Sequence, residues 1–205
     1  MARTTKLTPK GRATRAKIVE AAADLVLARR AGGTSLDEIC AGTSTSKSQI
    51  FHYFPAGKPE LVSAIAALQA ERVLAAQQPF LDHLDSWESW EQWCRAVLDH
   101  YGSQAHWGCP IGTLASEMAA VDPRLGAEVA GIMERWRSYL EAGVERMRLV
   151  GLLRRNSDPR ALALAIFAAL QGGLLLTQTM ESLEPLDAAL AGALSVLKSA
   201  APISS

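Results

Sequence analysis

Two helix-capping boxes follow one another in quick succession near the N-terminal end, Ser35-x-x-Glu38 and Ser46-x-x-Gln49. In each, the serine oxygen can accept from an N–H at a helix start while the Glu or Gln side chain reaches back to the serine N–H. The first box opens a short helix to about Gly42, and the second opens another to about Tyr53. With the turn Thr43-Ser44-Thr45 between them, the pair predicts a helix-turn-helix shape. Few other local signals restrict a chain so tightly. They set the lengths of two helices and the turn that angles them.

The rest of the chain is consistent with an all-α fold. No segment alternates apolar and polar residues with period two over a useful length, whereas helical periodicity recurs nearly everywhere. A basic arm leads into a first helix over residues 14–30 with Ile18, Ala21, Ala22 and Leu25 as its apolar stripe, closed by Ala31-Gly32-Gly33. Pro55-Ala56-Gly57 breaks the chain before a fourth helix over residues 59–78. Further amphipathic helices are expected over 86–103 and 111–120. Asp122-Pro123 and Asp158-Pro159 each supply an N-cap followed by an N1 proline, opening helices to about 150 and 181, and a last helix spans 185–198. About nine helices result. Trp87, Trp90 and Trp93 recur at helical spacing and are expected to pack between helices with one edge exposed.

Charge is distributed unevenly although the 205 residues sum to zero. Residues 1–60 hold ten Lys and Arg against five acids, a net +5, so the remainder carries −5. An anion-binding head on a neutral-to-acidic body fits this split, and a solvated basic tail is the alternative. Cys40, Cys94 and Cys109 show no Cys-x-x-Cys or Cys/His ligand spacing, so neither a disulfide framework nor a metal site is expected, and a reducing compartment is favoured. No apolar stretch of the kind that directs secretion is seen at the N-terminus. The longest apolar run, residues 161–176, is interrupted by Gln171, Gly172 and Gly173 and reads as too short to span a bilayer. The expected location is the cytoplasm.

The second capping box begins the segment SKSQIFHYF, residues 46–54. A helix starting there presents Ser46, Lys47, Ser48, Gln49 and His52 near its exposed N-terminal end and leaves Ile50 and Phe54 to turn inward. These are the attributes of a recognition helix, whose N-terminal residues meet base edges in the major groove. Gln49 can pair bidentately with adenine, Lys47 can reach guanine, and the serine hydroxyls serve either purpose. A merely capped surface helix is the bland reading; the adjoining turn, basic arm and basic helix start weigh against it.

The stretch TSLDEICAGTSTSKSQIFHYFPAGKPELV, residues 34–62, resembles the DNA-binding domain of the TetR family of bacterial transcriptional repressors, and the likeness extends over about 11–75. Gly108-Cys109-Pro110-Ile111-Gly112-Thr113-Leu114-Ala115 is similar to a motif of one subgroup of that family. The resemblance implies a basic arm and helix-turn-helix domain over 1–58, and a helical effector-binding and dimerisation domain over 59–205. It implies that Thr34 and Ser35 touch the phosphate backbone, that Thr45, Ser46, Lys47, Ser48, Gln49 and His52 line the groove-facing surface, and that Tyr53 and Lys58 hold phosphates. Three residues depart from the family pattern. Phe51 stands where a tyrosine is usual, Ser44 replaces a turn glycine, and Gly57 is an extra residue before the lysine. The basic arm, Arg3 to Arg12, either adds phosphate or minor-groove contacts or is an unstructured tail.

For the second half, the resemblance implies a small-molecule effector and a homodimer. A helix apolar on all sides over 161–180 must be covered on all sides, which independently favours a dimer through the last two helices, about 159–198. Candidate effector-binding residues are Trp107, Cys109, Met118, Met133, Trp136, Phe167 and Gln171, aromatic and soft side chains with an occasional polar atom. They point to a largely apolar or aromatic effector, although core packing is the competing reading for each. The four histidines form no zinc-protease motif, and neither a nucleophile elbow nor a phosphate-binding loop occurs, so an all-helical enzyme is disfavoured. No cofactor is expected. A dimer that binds a palindromic operator constitutively, without an effector, is the remaining alternative.

Overall fold

The structure is a computed structural model that describes residues 7–29, 35–104, 107–118 and 122–202. The expected cap at residues 31–33, Thr34, the basic arm as far as Lys6 and the side chain of Met118 lie outside the described residues. Among the described residues there are nine α-helices and no strand: α1 (Pro9–Arg29), α2 (Leu36–Gly42), α3 (Lys47–Tyr53), α4 (Lys58–Ala75), α5 (Trp87–Gly102), α6 (Pro110–Met118), α7 (Pro123–Leu149), α8 (Pro159–Met180) and α9 (Glu184–Ser199). A 3-10 turn, Phe80–His83, precedes α5. The boundaries fall close to those expected, with one exception.

Helix α1 begins at Pro9 rather than at residue 14. Thr8 supplies the reason: its Oγ1 accepts from the Gly11 N–H at 3.1 Å, and its carbonyl accepts from the Arg12 N–H at 2.9 Å. Thr8-Pro9 is therefore the same N-cap and N1-proline start that opens α7 and α8. The earlier start accompanies a rotated buried face. Ile18 and Ala22 are buried as expected, but Val19, Ala23 and Val26 join them, while Ala21 and Leu25 stay half-buried.

Helix α4 lies between the two ends of the molecule. It packs against α1 on one side and against α6 and α7 on the other. Surface contacts add to this: Arg72 pairs with Asp24 of α1 at 3.1 Å, Arg135 of α7 with Glu71 at 3.1 Å, and the Ser63 hydroxyl donates to Glu128. Exposed pairs of this kind contribute little individually. Burial does more, with Leu61, Val62, Ile65 and Ala66 all at or below 1% exposure.

Just past α4, the buried Gln77 side chain forms a polar node. Its Oε1 accepts from Trp93 Nε1 at 2.9 Å and from Trp136 Nε1 at 3.1 Å, while its Nε2 donates to the Val73 carbonyl at 2.9 Å. One amide thus joins the end of α4 to α5 and α7. Trp90 and Trp93 are completely buried, edge to face at 5.7 Å, and only Trp87 keeps partial exposure. The expectation of three indoles each with an exposed edge is corrected for these two.

Helix α8 runs for 22 residues with a mean hydropathy of 1.7 in its most apolar stretch, so by length and composition it could cross a membrane, contrary to the sequence expectation. It packs instead on α7 and α9 through Ala163, Ile166, Phe167, Leu170 and Leu174. A Cβ at Gly173 would sit 2.7 Å from Ala189 Cβ and 3.2 Å from Leu186 Cα, so the glycine is what allows α9 to approach. Gly172 faces open space. The opposite side of α8 leaves Leu164, Leu175, Leu176 and Met180 more than half exposed.

Replacing Gln77 by Leu, of similar volume, strands two buried indole donors. The expected loss is about 2–5 kcal/mol of stability, seen as a lower urea midpoint at unchanged slope, since each orphaned donor costs about 1–3 kcal/mol.

Candidate nucleic-acid interface and open cavity

Both capping boxes form. Ser35 Oγ accepts from the Glu38 N–H at 3.2 Å, and Glu38 Oε2 accepts from the Ser35 N–H at 2.7 Å. Ser46 Oγ accepts from the Gln49 N–H at 3.2 Å, and Gln49 Oε1 accepts from the Ser46 N–H at 3.0 Å. Between them the backbone reverses at Ser44, whose φ of 52° is the left-handed conformation usually left to glycine. The Thr43 hydroxyl closes on the Ile39 carbonyl at 2.7 Å, and the Thr45 N–H on the Cys40 carbonyl at 2.9 Å.

Apolar side chains pin this unit from behind. Ile39, Ile50 and Phe54 have no exposure. The Arg15 guanidinium lies 4.6 Å from the Phe54 ring centroid, and its Nε donates to the Tyr53 carbonyl at 3.4 Å. On the other side of α3, Ser46, Lys47, Ser48, Gln49, Phe51 and His52 are exposed, and Thr45 and Tyr53 are half-buried. The structure thus brings the predicted α3 residues onto one outward surface. Lys58 begins α4 behind an N-cap glycine, Gly57, with no side chain capping the helix start.

Two of these side chains are already engaged. Lys47 Nζ lies 2.7 Å from Asp37 Oδ1 on α2, and this bond raises the lysine pKa above its ordinary value. Gln49 commits its Oε1 to the cap. The bidentate adenine contact expected of it needs that oxygen as well as the amide nitrogen. In this conformation only Gln49 Nε2 is uncommitted.

The C-terminal helices line a cavity of about 300 Å³ that is open to solvent on one side, where Leu175 and Ser116 are exposed. Helix α6 and the residue before it contribute Cys109, Gly112, Thr113 and Ser116; α7 contributes Met133; α8 contributes Gln171, Leu175 and Gln178. Among the described residues, no charged side chain lines it. Cys109 acts as a sulfur cap for α6, its Sγ accepting from the Gly112 N–H at 3.3 Å. Burial pushes the Cys109 thiol up, although the Gly112 backbone N–H opposes the shift. Burial also raises the neighbouring Tyr101 phenol well above its ordinary value. The thiol therefore stays protonated at neutral pH.

Of the candidate effector residues, Cys109, Met133 and Gln171 meet at this cavity. Trp136 and Phe167 do not line it. They form an edge-to-face pair at 5.3 Å inside the core, with Trp136 also bound to Gln77. Trp107 is half-buried and does not line the cavity either. Thr113, Ser116, Leu175 and Gln178 line it as well, and residue type alone does not single them out. Helical spacing carried the signal, since Gln171, Leu175 and Gln178 fall at i, i+4 and i+7 on one face.

Helix α6 has a second side. Pro110 and Leu114 face Ala23 and Val26 of α1 and Ile65 and Gln69 of α4 across a narrow apolar seam. One short helix therefore separates the cavity from the helices that support α3.

Residues 84–191 match a TetR-type domain family described as transcriptional regulator LmrA/YxaF-like, C-terminal domain. The chain is 28% identical over 182 residues to an HTH-type transcriptional regulator in the lacX 3' region of Lactococcus lactis subsp. lactis, covering 86% of this chain and 89% of the relative. It is 27% identical over 177 residues to the HTH-type transcriptional regulator LmrA of Bacillus subtilis, covering 84% and 90%. Its fold is similar to a TetR-family transcriptional regulator from Cytophaga hutchinsonii (TM-score 0.82, 16% identity, 97% of this chain and 100% of that one). A TetR transcriptional regulator from Chloroflexus aurantiacus is similar as well (TM-score 0.78, 24% identity, 96% and 100%). With more than half of its length matched by that domain family and a helix-turn-helix at its head, the chain belongs to the TetR family of transcriptional regulators.

Proposed function

We propose that the protein is a cytoplasmic repressor that grips a palindromic operator as a homodimer and lets go when a small uncharged molecule enters the cavity beside α6. The observation that carries the DNA reading is the outward surface of α3. Every large apolar side chain of the α2–α3 unit except Phe51 faces inward or is partly covered, leaving hydroxyls, an imidazole and the Gln49 amide nitrogen for base edges, with the Lys47 ammonium beside them once it leaves Asp37. Ser48 and His52 occupy its centre, opposite the buried Ile50. Tyr53 and Lys58 suit phosphate contacts at the edge, where the start of α4 also favours an anion.

Pairing of two copies is supported by α8 and α9. Of eight large hydrophobic side chains left exposed among the described residues, five (Leu164, Leu175, Leu176, Met180 and Val196) lie on these two helices. An apolar patch so concentrated favours a protein partner, and a two-fold axis through it presents the same patch from both sides. Two α3 helices about 34–36 Å apart, or a multiple of that, would then fit successive major grooves.

For the effector, the uncharged lining among the described residues supports a neutral molecule. Burying an ion without a counter-charge costs several kcal/mol, so a neutral molecule is favoured over a carboxylate or an amine. Hydroxyl and amide groups from α6 and α8 can orient it, while Met133 and Leu175 contact its apolar part. Occupancy that displaces α6 would press on α1 and α4 through Pro110 and Leu114, shifting the equilibrium toward a spacing of α3 helices that no longer fits the grooves.

Salt-titrated binding to the DNA upstream of the protein's own coding region tests the reading directly. Lys58→Ala should weaken binding to all duplexes and reduce the salt slope by about 1, whereas His52→Ala should relax preference at one position at a cost of about 1–3 kcal/mol. The double variant Leu164→Glu and Leu176→Glu should sediment as a monomer and lose operator affinity with the dimer. Met133→Trp, which fills the cavity, should leave operator affinity unchanged while abolishing release by the small-molecule fraction of a cell extract.

A further inference from the structure

On the premise that α3 enters a major groove, we infer that Phe51 is a base-reading residue that recognises the 5-methyl group of a thymine. Phe51 is the one large hydrophobic side chain of the α2–α3 unit that is more than half exposed, at 51%, whereas Ile39, Ile50 and Phe54 are fully buried. An exposed ring on an otherwise polar helix loses free energy in water unless something covers it. The ring is also held in place. A Cβ at position 57 would lie 3.0 Å from Phe51 Cε1, so one ring edge rests on the Gly57 backbone. Gly57 has a φ of 71°, a conformation that side chains rarely adopt, so both the backbone and the ring contact require glycine there.

Geometry puts the ring among the readers. Phe51 follows Lys47 by four residues and Ser48 by three, the spacings that place side chains together on one helix face. Its neighbours are less available for apolar or bidentate contacts, with Lys47 tied to Asp37 and the Gln49 oxygen tied to the cap. A phenyl ring has no hydroxyl to offer a phosphate. The apolar feature that a major groove presents is the thymine 5-methyl, and phenylalanine is suited to meet it. Phe51 and Gly57, two of the departures from the family pattern, are in this reading one device: the glycine makes room for the ring, and the ring reads the methyl.

Exchange of thymine for uracil tests this, because it removes the methyl and leaves every hydrogen-bonding edge intact. Duplexes selected from a random-sequence pool by the wild-type protein serve as probes. Wild type should select thymine at a fixed position in each half-site, and uracil there should weaken binding about fourfold per half-site, the worth of one buried methyl. Phe51→Ala should bind thymine and uracil duplexes equally, and Phe51→Leu should recover part of the difference. The inference is overturned if wild type selects no fixed thymine, or if uracil weakens wild type and Phe51→Ala to the same extent. Selection of no sequence at all by wild type would instead overturn the DNA-binding premise, and this inference with it.

Discussion

Two indole N–H groups converge on one amide oxygen where α4 ends, and much of the architecture follows from that meeting. Buried in a low-dielectric core, Gln77 holds α5 through Trp93 and α7 through Trp136 while its nitrogen closes on its own helix end. Partners this specific cannot slide as apolar contacts can. The C-terminal end of α4 is thereby fixed in the large helical core. Its N-terminal end, beginning at Lys58, leads directly from α3. On the proposed function, a helix anchored at one end and joined to the helix-turn-helix at the other would convert small changes along its length into displacements at its tip.

Helix α6 lies between the cavity and α4, where such changes would begin. Its polar side lines the cavity, and its apolar side lies along α1 and α4. It is short and begins with a thiol cap, which is a weaker acceptor than an oxygen. Long, well-capped α7 and α8, each opened by an Asp oxygen and a proline, provide the firm wall opposite. An occupant of the cavity would meet less resistance from α6 than from its other neighbours.

Legibility in the sequence tracked the range of the interaction. Capping boxes, N1 prolines and the turn between α2 and α3 are local, and each is written within a few residues. The Thr8-Pro9 start of α1 is equally local, but its cap lies inside the basic arm, where charge masks the helix signal. Gln77 could not be foreseen, since Trp93 and Trp136 are brought to it only by the tertiary fold. Trp136 and Phe167 looked like ligand-binding aromatics because residue type does not distinguish a core pair from a cavity wall. Gln49 had the right chemistry for adenine, but the capping box that revealed α3 also uses its oxygen. The same four-residue motif thus marks the helix start and occupies the Gln49 oxygen in this conformation.

The close crossing at Gly173 reaches beyond the helices it joins. Because α9 rests against α8 almost backbone to backbone at Gly173, the two pack as one plate within one chain. A second copy would meet a finished surface rather than one that must be shaped on contact, with little ordering entropy lost at the encounter. Enlarging residue 173 would pry the plate apart and misalign both of its edges together, so a change in the middle of α8 would be felt by both halves of any pair.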